Sequence, residues 1–172
     1  MARVAFLVIY SDSTEQNLSF VNSVSKKDRG VNVPLMLMLM RWDGKIGFPG
    51  GKIELGEDSA DGLAREVKEE IGFDCDKSKM KLVSNFKFTE NDVELFAYEV
   101  SKDKLKSIMR VSTETDSFLI ENQGCFAVQI ANFIDNENYD IGGFEEFKMH
   151  NFCASARVEL DMFINYLFTG RG

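Results

Sequence analysis

Three glutamates, Glu66, Glu69 and Glu70, are the residues of this chain whose types and spacing point most clearly to chemistry. On a helix, residues three and four apart share a face, so these side chains would project together. Like charges at this spacing repel, and oxygen-only ligands suit Mg²⁺ and Mn²⁺. The spacing therefore predicts a divalent-metal site. The alternative is a solvated acidic face, which is common for a run of like charges.

A helix over residues 58–71 would carry this cluster. Asp58 or Ser59 can cap its start, and Gly72 lies just beyond its end, as helix stop signals do. Glu57 and Arg65 carry opposite charges and could pair across the junction of loop and helix. Apolar residues at helical spacing predict the buried face: Ala60, Leu63, Ala64, Val67 and Ile71.

The remaining apolar patterns predict the elements that must support this helix. Strands are expected at residues 4–10, 35–40, 81–88, 93–100 and 126–130, with a hairpin turn at 89–92. Further helices are expected at residues 101–109 and 151–168, the second one amphipathic. The polar residues 11–32 read as a loop or an irregular arm. This order indicates the α/β or the α+β class.

Residues 51–73 fit the pattern G-x5-E-x7-R-E-U-x-E-E-x-G-U, in which U is apolar, without a departure. This pattern resembles the Nudix box, the signature of hydrolases that split a diphosphate linked to another group. The resemblance implies an α/β/α sandwich around a mixed β-sheet, in one Nudix domain over residues 1–172. The positions of the pattern are occupied by Gly51, Glu57, Arg65, Glu66, Val67, Glu69, Glu70, Gly72 and Phe73.

The resemblance implies a role for each matching position. The carbonyl oxygen of Gly50 and the carboxylates of Glu66, Glu69 and Glu70 would be metal ligands, and Glu69 or Glu66 would be the general base. Glu57 and Arg65 would stabilise the box. The family commonly adds one carboxylate from outside the box. Glu121 is the candidate, and the residues that compete with it are Glu90, Asp92, Glu94 and Asp116.

The resemblance extends beyond the box to one branch of the family. Residues 35–51, L-M-L-M-L-M-R-W-D-G-K-I-G-F-P-G-G, and the weaker matches at residues 142–157 are similar to the vertebrate nuclear enzymes that act as inosine diphosphatases and decap small nucleolar RNA. Most of the chain from about residue 33 aligns with that branch. A histidine is expected in the first strand of the vertebrate members, and Phe6 stands there in this chain. That departure puts their purine selectivity in doubt here.

Residues near the box could contact the substrate. Arg41 could bind a phosphate and Trp42 could stack on a base, or the two could form a surface turn with a partly buried indole. Phe48 could line the base pocket or serve as a structural turn aromatic. Phe6 and Gly51 complete the predicted set of substrate contacts.

Composition limits the partners. A net charge of -8 argues against broad, sequence-independent nucleic-acid binding, because phosphate neutralisation needs Lys and Arg. Three widely spaced cysteines suggest reduced thiols, and no apolar run is long enough to cross a membrane. A cytoplasmic location is expected, with the nucleus as an open alternative.

Together the residues and the resemblance predict a Mg²⁺- or Mn²⁺-dependent pyrophosphohydrolase. Its substrate would be a nucleoside diphosphate, particularly of the inosine type, or the 5′ end of capped RNA. The alternative is a non-catalytic nucleotide-binding sensor or interaction module on the same fold.

A homodimer is also expected, because residues 151–168 carry more large apolar residues than one helix face requires. The N-terminal arm could cover them instead. These residues are Phe152, Met162, Phe163, Ile164, Tyr166, Leu167 and Phe168.

Overall fold

A mixed β-sheet of seven strands forms the centre of the fold, in a computed structural model that describes residues 2–17, 30–135 and 139–170. Its strands are β1 (Arg3–Asn17), β2 (Gly30–Arg41), β3 (Ile46–Gly47), β4 (Gly50–Ile53), β5 (Lys81–Phe88), β6 (Asn91–Glu99) and β7 (Asn122–Gln129). A separate two-stranded sheet contains β8 (Asn132–Asp135) and β9 (Tyr139–Gly143). The helices are α1 (Ser59–Ile71), α2 (Lys102–Val111), α3 (Phe144–Phe147) and α4 (Ala156–Thr169).

The first strand changes its partner along its length. On one side, residues 3–6 of β1 pair with β4 and residues 10–17 pair with β2, both antiparallel. On the other side, residues 3–10 pair in parallel with β6. Beyond Met36, β3 takes the place of β1 along one edge of β2, while β7 pairs with the other edge from Leu35 to Arg41. The sheet therefore parts between β2 and β4, and this opening lies beside the start of β4.

The sheet has a hydrophobic core on each face, because successive strand residues point to opposite sides. One core joins Leu7 and Leu37 to the buried faces of α1 and α2. The other joins Val8 and Met38 to α3 and α4. The residues of α1 and α4 that fill these cores are Leu63, Val67, Ile71, Leu160, Phe163 and Leu167.

The helix that carries the three glutamates begins and ends at defined caps. The Asp58 carboxylate accepts hydrogen bonds from the backbone N–H groups of Ala60 (2.9 Å) and Asp61 (3.4 Å), which satisfies two of the unpaired donors at the helix start. Gly72 ends α1 in the left-handed conformation, at φ 68°. Since both ends are fixed, the register of the glutamates along α1 is fixed as well.

These observations confirm the α/β sandwich and most of the predicted elements. The prediction of a loop or irregular arm over residues 11–32 is wrong where β1 runs on to Asn17 and β2 begins at Gly30; residues 18–29 lie outside the described residues. The sequence did not predict this strand because its residues are polar. Two of them, Ser11 and Thr14, are nevertheless buried, and the Thr14 hydroxyl donates a hydrogen bond to Ser11 Oγ (3.2 Å).

The helix predicted over residues 151–168 begins at Ala156 instead. The residues before it extend along β3: Ile46 donates to the carbonyl of Asn151 (3.0 Å), and Cys153 donates to the carbonyl of Ile46 (2.8 Å). Apolar residues recur at helical spacing on both sides of Ala156, so the sequence pattern did not reveal where the helix begins. Within the described residues, no helix is long and apolar enough to cross a membrane.

Gly50 and Gly44 offer a matched test of how tightly β4 must approach β1. Both have positive φ, but a Cβ at Gly50 would lie 2.2 Å from the carbonyl oxygen of Ala5, whereas a Cβ at Gly44 meets nothing within 4 Å. We expect Gly44→Ala to cost about 1–2 kcal/mol from backbone conformation alone. Gly50→Ala should cost more than about 3 kcal/mol, because the strands must separate. Urea unfolding measures both, and equal losses would contradict the close approach.

Candidate active site

An ion pair between Arg65 and Glu57 ties the loop after β4 to helix α1. Arg65 Nε and Nη2 donate to the two carboxylate oxygens of Glu57 at 3.2 and 3.1 Å, and Nη2 also donates to the carbonyl of Lys52 (3.3 Å). Glu57 accepts the backbone N–H of Glu54 as well (3.0 Å). The hydrogen bonds from Arg65 and Glu54 lower the pKa of Glu57. Such a two-point bond fixes orientation as well as distance.

Two glycines make room for this arrangement. A Cβ at Gly62 would lie 2.6 Å from Glu57 Oε2, and a Cβ at Gly51 would lie 2.5 Å from Glu66 Oε2. Gly62 stands outside the Nudix-box pattern, yet a larger residue there would force the side chains of Glu57 and Ile53 to shift. Gly51 gives the Glu66 carboxylate its space.

The three glutamates of α1 differ in their surroundings. Glu66 Oε1 accepts a short hydrogen bond from Arg65 Nη1 (2.6 Å). Glu70 is largely buried, and its Oε2 accepts the backbone N–H of Gly50 (2.8 Å). Glu69 is 62% exposed, and its Oε2 lies 3.8 Å from Arg65 Nη1. Glu69 is therefore the one of these three whose carboxylate is most accessible to water.

The surroundings of Glu70 disfavour the ionised form of its carboxyl group. Burial raises its pKa to about 7; the N–H of Gly50 opposes the rise, the charges of Glu66 and Glu121 add to it, and Arg41 lowers it. Burial and, to a smaller extent, the neighbouring anions therefore disfavour the ionised form of this carboxyl. A bound cation would remove that cost.

A divalent cation fits this chemistry, although its ligands are not gathered in the present conformation. Among residues 2–17, 30–135 and 139–170, no three Asp, Glu, His or Cys side chains already form a metal cluster. Arg65 holds Glu66 and the Gly50 amide holds Glu70, so those carboxylates would have to turn to share an ion. The donors are all oxygens, as Mg²⁺ and Mn²⁺ prefer.

Glu121 lies close enough for its charge to act on Glu70. Its carbonyl also accepts the backbone N–H of Trp42 (3.1 Å), which holds the turn before β7 against the turn after β2. Two of its competitors have partners elsewhere: Asp92 lies 3.8 Å from Lys87, and Glu94 lies 4.0 Å from Arg3. The fifth metal ligand stays a prediction, with Glu121 as its candidate.

A cavity of about 80 Å³ opens at the parting of the sheet, beside Glu70. Of the predicted substrate contacts, Phe6, Arg41 and Phe48 line this cavity. Gly51 and Trp42 are not among its lining residues, and Trp42 is 65% exposed. The lining residues are Phe6, Leu39, Arg41, Gly47, Phe48, Gly50, Glu70, Cys153, Ala154, Ser155, Ala156 and Glu159.

A larger open groove of about 770 Å³ lies elsewhere, between Tyr10, Lys81 and Ser101. None of the box residues lines it. The small cavity is therefore a better candidate for substrate than this groove, because it combines Glu70 of the box with the cationic side chain of Arg41.

Glu159 is a cavity residue that the sequence analysis missed. It is 1% exposed, and its Oε1 accepts a 2.6 Å hydrogen bond from Ser155 Oγ. Its Oε2 is buried without a hydrogen-bond partner among the described residues. Burial raises the pKa of Glu159 to about 7, and the Ser155 hydroxyl opposes the rise. The available signal was a charged residue on the apolar stripe of α4, at helical spacing from Ala156 and Phe163.

The raised pKa of Glu159 makes a prediction about stability. Below its ordinary pKa of 4.5 both states are protonated and nothing is lost. Between pH 4.5 and about 7 the unfolded chain ionises first, so the folded state loses stability as the pH rises. Above pH 7 the loss is complete, at roughly 3 kcal/mol for a shift of this size. Glu159→Gln should therefore unfold at higher urea than the natural protein at pH 8, with the advantage gone at pH 4.

The exposed Glu114 supplies a matched control for that measurement. Glu114→Gln removes a carboxyl of the same type outside the core and should leave the stability profile unchanged. An advantage of Glu159→Gln that did not vary with pH would contradict ionisation as its cause.

Solved structures of Nudix proteins share this fold. A MutT/nudix family protein from Listeria innocua superposes with a TM-score of 0.60 over 96% of this chain and 93% of its own, at 12% identity. A MutT/nudix family protein from Enterococcus faecalis also gives 0.60, over 96% of this chain and 61% of its own, at 10% identity. At these identities the similarity shows the architecture alone.

Sequence comparison identifies the family. A U8 snoRNA-decapping enzyme of Homalodisca vitripennis is 34% identical over 106 residues, which is 58% of this chain and 57% of that protein. The Xenopus laevis enzyme of that name is 26% identical over 141 residues, covering 73% of this chain and 61% of the enzyme. The chain thus spans about three fifths of the length of these relatives. Because the model of the Nudt16-like, U8 snoRNA-decapping enzyme-like family matches residues 4–167, the chain belongs to that family of Nudix proteins.

Proposed function

We propose that this chain is a Mg²⁺- or Mn²⁺-dependent pyrophosphohydrolase that cleaves a diphosphate bond in a nucleoside diphosphate or at the 5′ end of capped RNA. One observation carries the proposal: Glu70 belongs both to the acidic face of α1 and to the lining of the cavity. A metal held by the glutamates would therefore stand next to whatever the cavity binds. Membership of a family described by decapping supports the reaction class.

The charges around the cavity suit a diphosphate. Arg41 lines it, and the positive charge of Arg41 acts on Glu70. Asp43 lies 3.3 Å from Arg41 Nε and orients the side chain, which leaves the rest of the guanidinium for a phosphate oxygen. Guanidinium groups bind phosphate through parallel hydrogen bonds. We assign Arg41 to the diphosphate and the aromatic rings of Phe6 and Phe48 to the base.

Glu66, Glu69, Glu70, the carbonyl of Gly50 and Glu121 would hold the ion. When bound, Mg²⁺ or Mn²⁺ would neutralise the diphosphate and acidify a water molecule. The protein's own task is then to position that water and take its proton.

We assign the general base to Glu69. Glu66 is engaged by Arg65 at 2.6 Å and Glu70 by the amide of Gly50, whereas Glu69 is exposed on the same face of α1. Glu69 can reach water without breaking a strong hydrogen bond. Glu66 remains the alternative base if its bond to Arg65 opens on metal binding.

Glu69→Gln tests this assignment. Substitution of a general base lowers turnover by about a hundred- to ten-thousand-fold. Because Glu69 is exposed, the variant should fold as stably as the natural protein, and its substrate KM should change far less than kcat. Glu114→Gln is the matched control and should retain full turnover. Turnover of Glu69→Gln within about threefold of the control would remove Glu69 from the role.

The substrate is best found by a screen of the purified protein with Mn²⁺. It should include nucleoside diphosphates, ADP-ribose, dinucleoside polyphosphates, NAD and capped RNA. The name of the relatives, U8 snoRNA-decapping enzyme, favours the capped end of RNA. The net charge of -8 favours small substrates or a contact confined to the RNA terminus. Tight binding across the screen without any turnover would favour the nucleotide sensor.

We also propose a homodimer through α4. Leu160, Phe163 and Leu167 are buried against the sheet, but Phe168 is exposed and Ile164 is only partly covered. The helix therefore keeps an apolar side that its own chain does not bury among the described residues. Light scattering at micromolar concentration should give about twice the chain mass of 19.5 kDa. A mass near 19.5 kDa would refute the dimer.

A further inference from the structure

The Glu159 carboxylate has no part in the hydrolysis proposed above, yet it lines the same cavity as Glu70, Arg41 and Phe48. It stands in the first turns of α4, on the face that meets the sheet. Its side chain is 1% exposed, and Oε2 is one of the few buried polar atoms without a partner among the described residues. A buried acceptor of this kind beside a cavity is suited to a ligand that donates hydrogen bonds.

The free-energy cost of burying the Glu159 carboxylate indicates that this residue has a function. A buried polar group without a hydrogen bond costs free energy, and a buried charge without a partner costs more. Proteins pair most of these groups, and each exception calls for an explanation, such as a functional role or a bound water or ion. The Ser155 hydroxyl donates to Oε1, which orients the carboxylate and uses one of its acceptor positions. Oε2 and the second lone pair of Oε1 remain for a ligand.

We propose that Glu159 reads the guanine edge that carries the N1–H and 2-amino groups, in a free nucleotide or in the cap of an RNA. The inference rests on the proposed function, because the diphosphate would be held by Arg41 and by the metal at the glutamates. It makes Glu159 the specificity-determining residue of the base site, and Ser155 the residue that positions it.

The choice of guanine follows from the pattern of donors. A carboxylate accepts at two oxygens, and guanine presents two adjacent donors, N1–H and the 2-amino group. Hypoxanthine has the N1–H donor but lacks the amino group. Adenine presents the N1 acceptor, which a carboxylate repels. Uracil has a single N3–H between two carbonyl oxygens, and those oxygens would also be repelled.

The cavity has aromatic side chains as well as charged ones. Phe6 and Phe48 lie on β1 and on the segment before β4, and both line the cavity. Aromatic rings bind the faces of any base and contribute little to the choice between bases. The choice must then come from polar groups at the ring edge. Besides Glu159, the charged residues that line the cavity are Arg41 and Glu70. Arg41 would bind the diphosphate and Glu70 would bind the metal.

This assignment alters the expectation of inosine-type substrates. A carboxylate gains one hydrogen bond from guanine that hypoxanthine cannot supply. The protein should therefore rank guanine nucleotides above inosine nucleotides, and both above adenine nucleotides.

The first test measures equilibrium binding of GMP, IMP and AMP by calorimetry. These monophosphates contain no diphosphate bond, so their binding is independent of turnover. We expect GMP to bind roughly tenfold more tightly than IMP, a ratio typical of one good base-edge contact. Equal affinities of the natural protein for GMP and IMP would overturn the inference.

The second test uses Glu159→Gln, with Glu114→Gln as the control. The glutamine oxygen can still accept from Ser155, so a role limited to that contact would leave the GMP-to-IMP ratio unchanged. We expect the ratio to fall to about one, because the amide nitrogen cannot accept from a base, while Glu114→Gln keeps the natural ratio. Glu159→Gln must unfold cooperatively in the same buffer. A folded variant that kept the guanine preference would refute the assignment.

The source of the guanine is separated by two further arms, GDP and a GpppA cap dinucleotide. A preference over the matching inosine ligands that appears in one arm alone identifies that source, and its absence from both arms overturns the inference. The two proposals also fail separately. Absence of hydrolysis with a retained GMP preference defeats the pyrophosphohydrolase alone, and hydrolysis without base preference defeats the guanine site alone.

Discussion

The guanidinium of Arg65 is the constraint on which the candidate site depends. It bonds to Glu57 and to the carbonyl of Lys52 on the loop, and to Glu66 on its own helix. One side chain thus fixes the distance between the loop after β4 and the acidic face of α1. The charge of Arg65 also offsets part of the repulsion among the glutamates. If it were lost, the loop would lose its attachment to α1, and Glu66 and Glu69 would be left without the cation that lies beside them.

Two carboxyl groups of the candidate site lower the stability of the folded protein near neutral pH. Glu70 and Glu159 both have a pKa raised to about 7, with burial as the largest cause in each. Ligand binding would affect them differently, since Glu70 lies near other carboxylates and would be stabilised by a cation, whereas Glu159 has an unpaired acceptor and would be stabilised by a hydrogen-bond donor. The protein gives up stability near neutral pH at both positions, which is the usual exchange between stability and function. The surroundings of each carboxyl indicate which kind of group would stabilise it, a cation at Glu70 and a hydrogen-bond donor at Glu159.

The sequence was most informative where local chemistry is strict. The caps of α1 at Asp58 and Gly72 and the pairing of Glu57 with Arg65 could be predicted from spacing. So could most of its buried face, since the larger residues of the predicted stripe are buried while Ala60 and Ala64 are only partly so. The extent of β1 could not, because Ser11 and Thr14 are polar residues buried by tertiary pairing. The start of α4 was misplaced because residues 151–153 hydrogen-bond to β3 while keeping an apolar period. Long-range pairing, which no local pattern reports, decided both.

The position of Glu159 explains why the sequence did not predict that this residue lines the cavity. Its position on α4 is separated by more than 80 residues from the glutamates of α1, and only the parting of the sheet between β2 and β4 brings both helices to one cavity. A charged residue on an apolar stripe could be exposed at a helix end or buried with a purpose. The unpaired Oε2 beside the cavity favours the second. Under the two proposals, the glutamates of α1 would determine which bond is broken, while Glu159 of α4, on the opposite face of the sheet, would select the base.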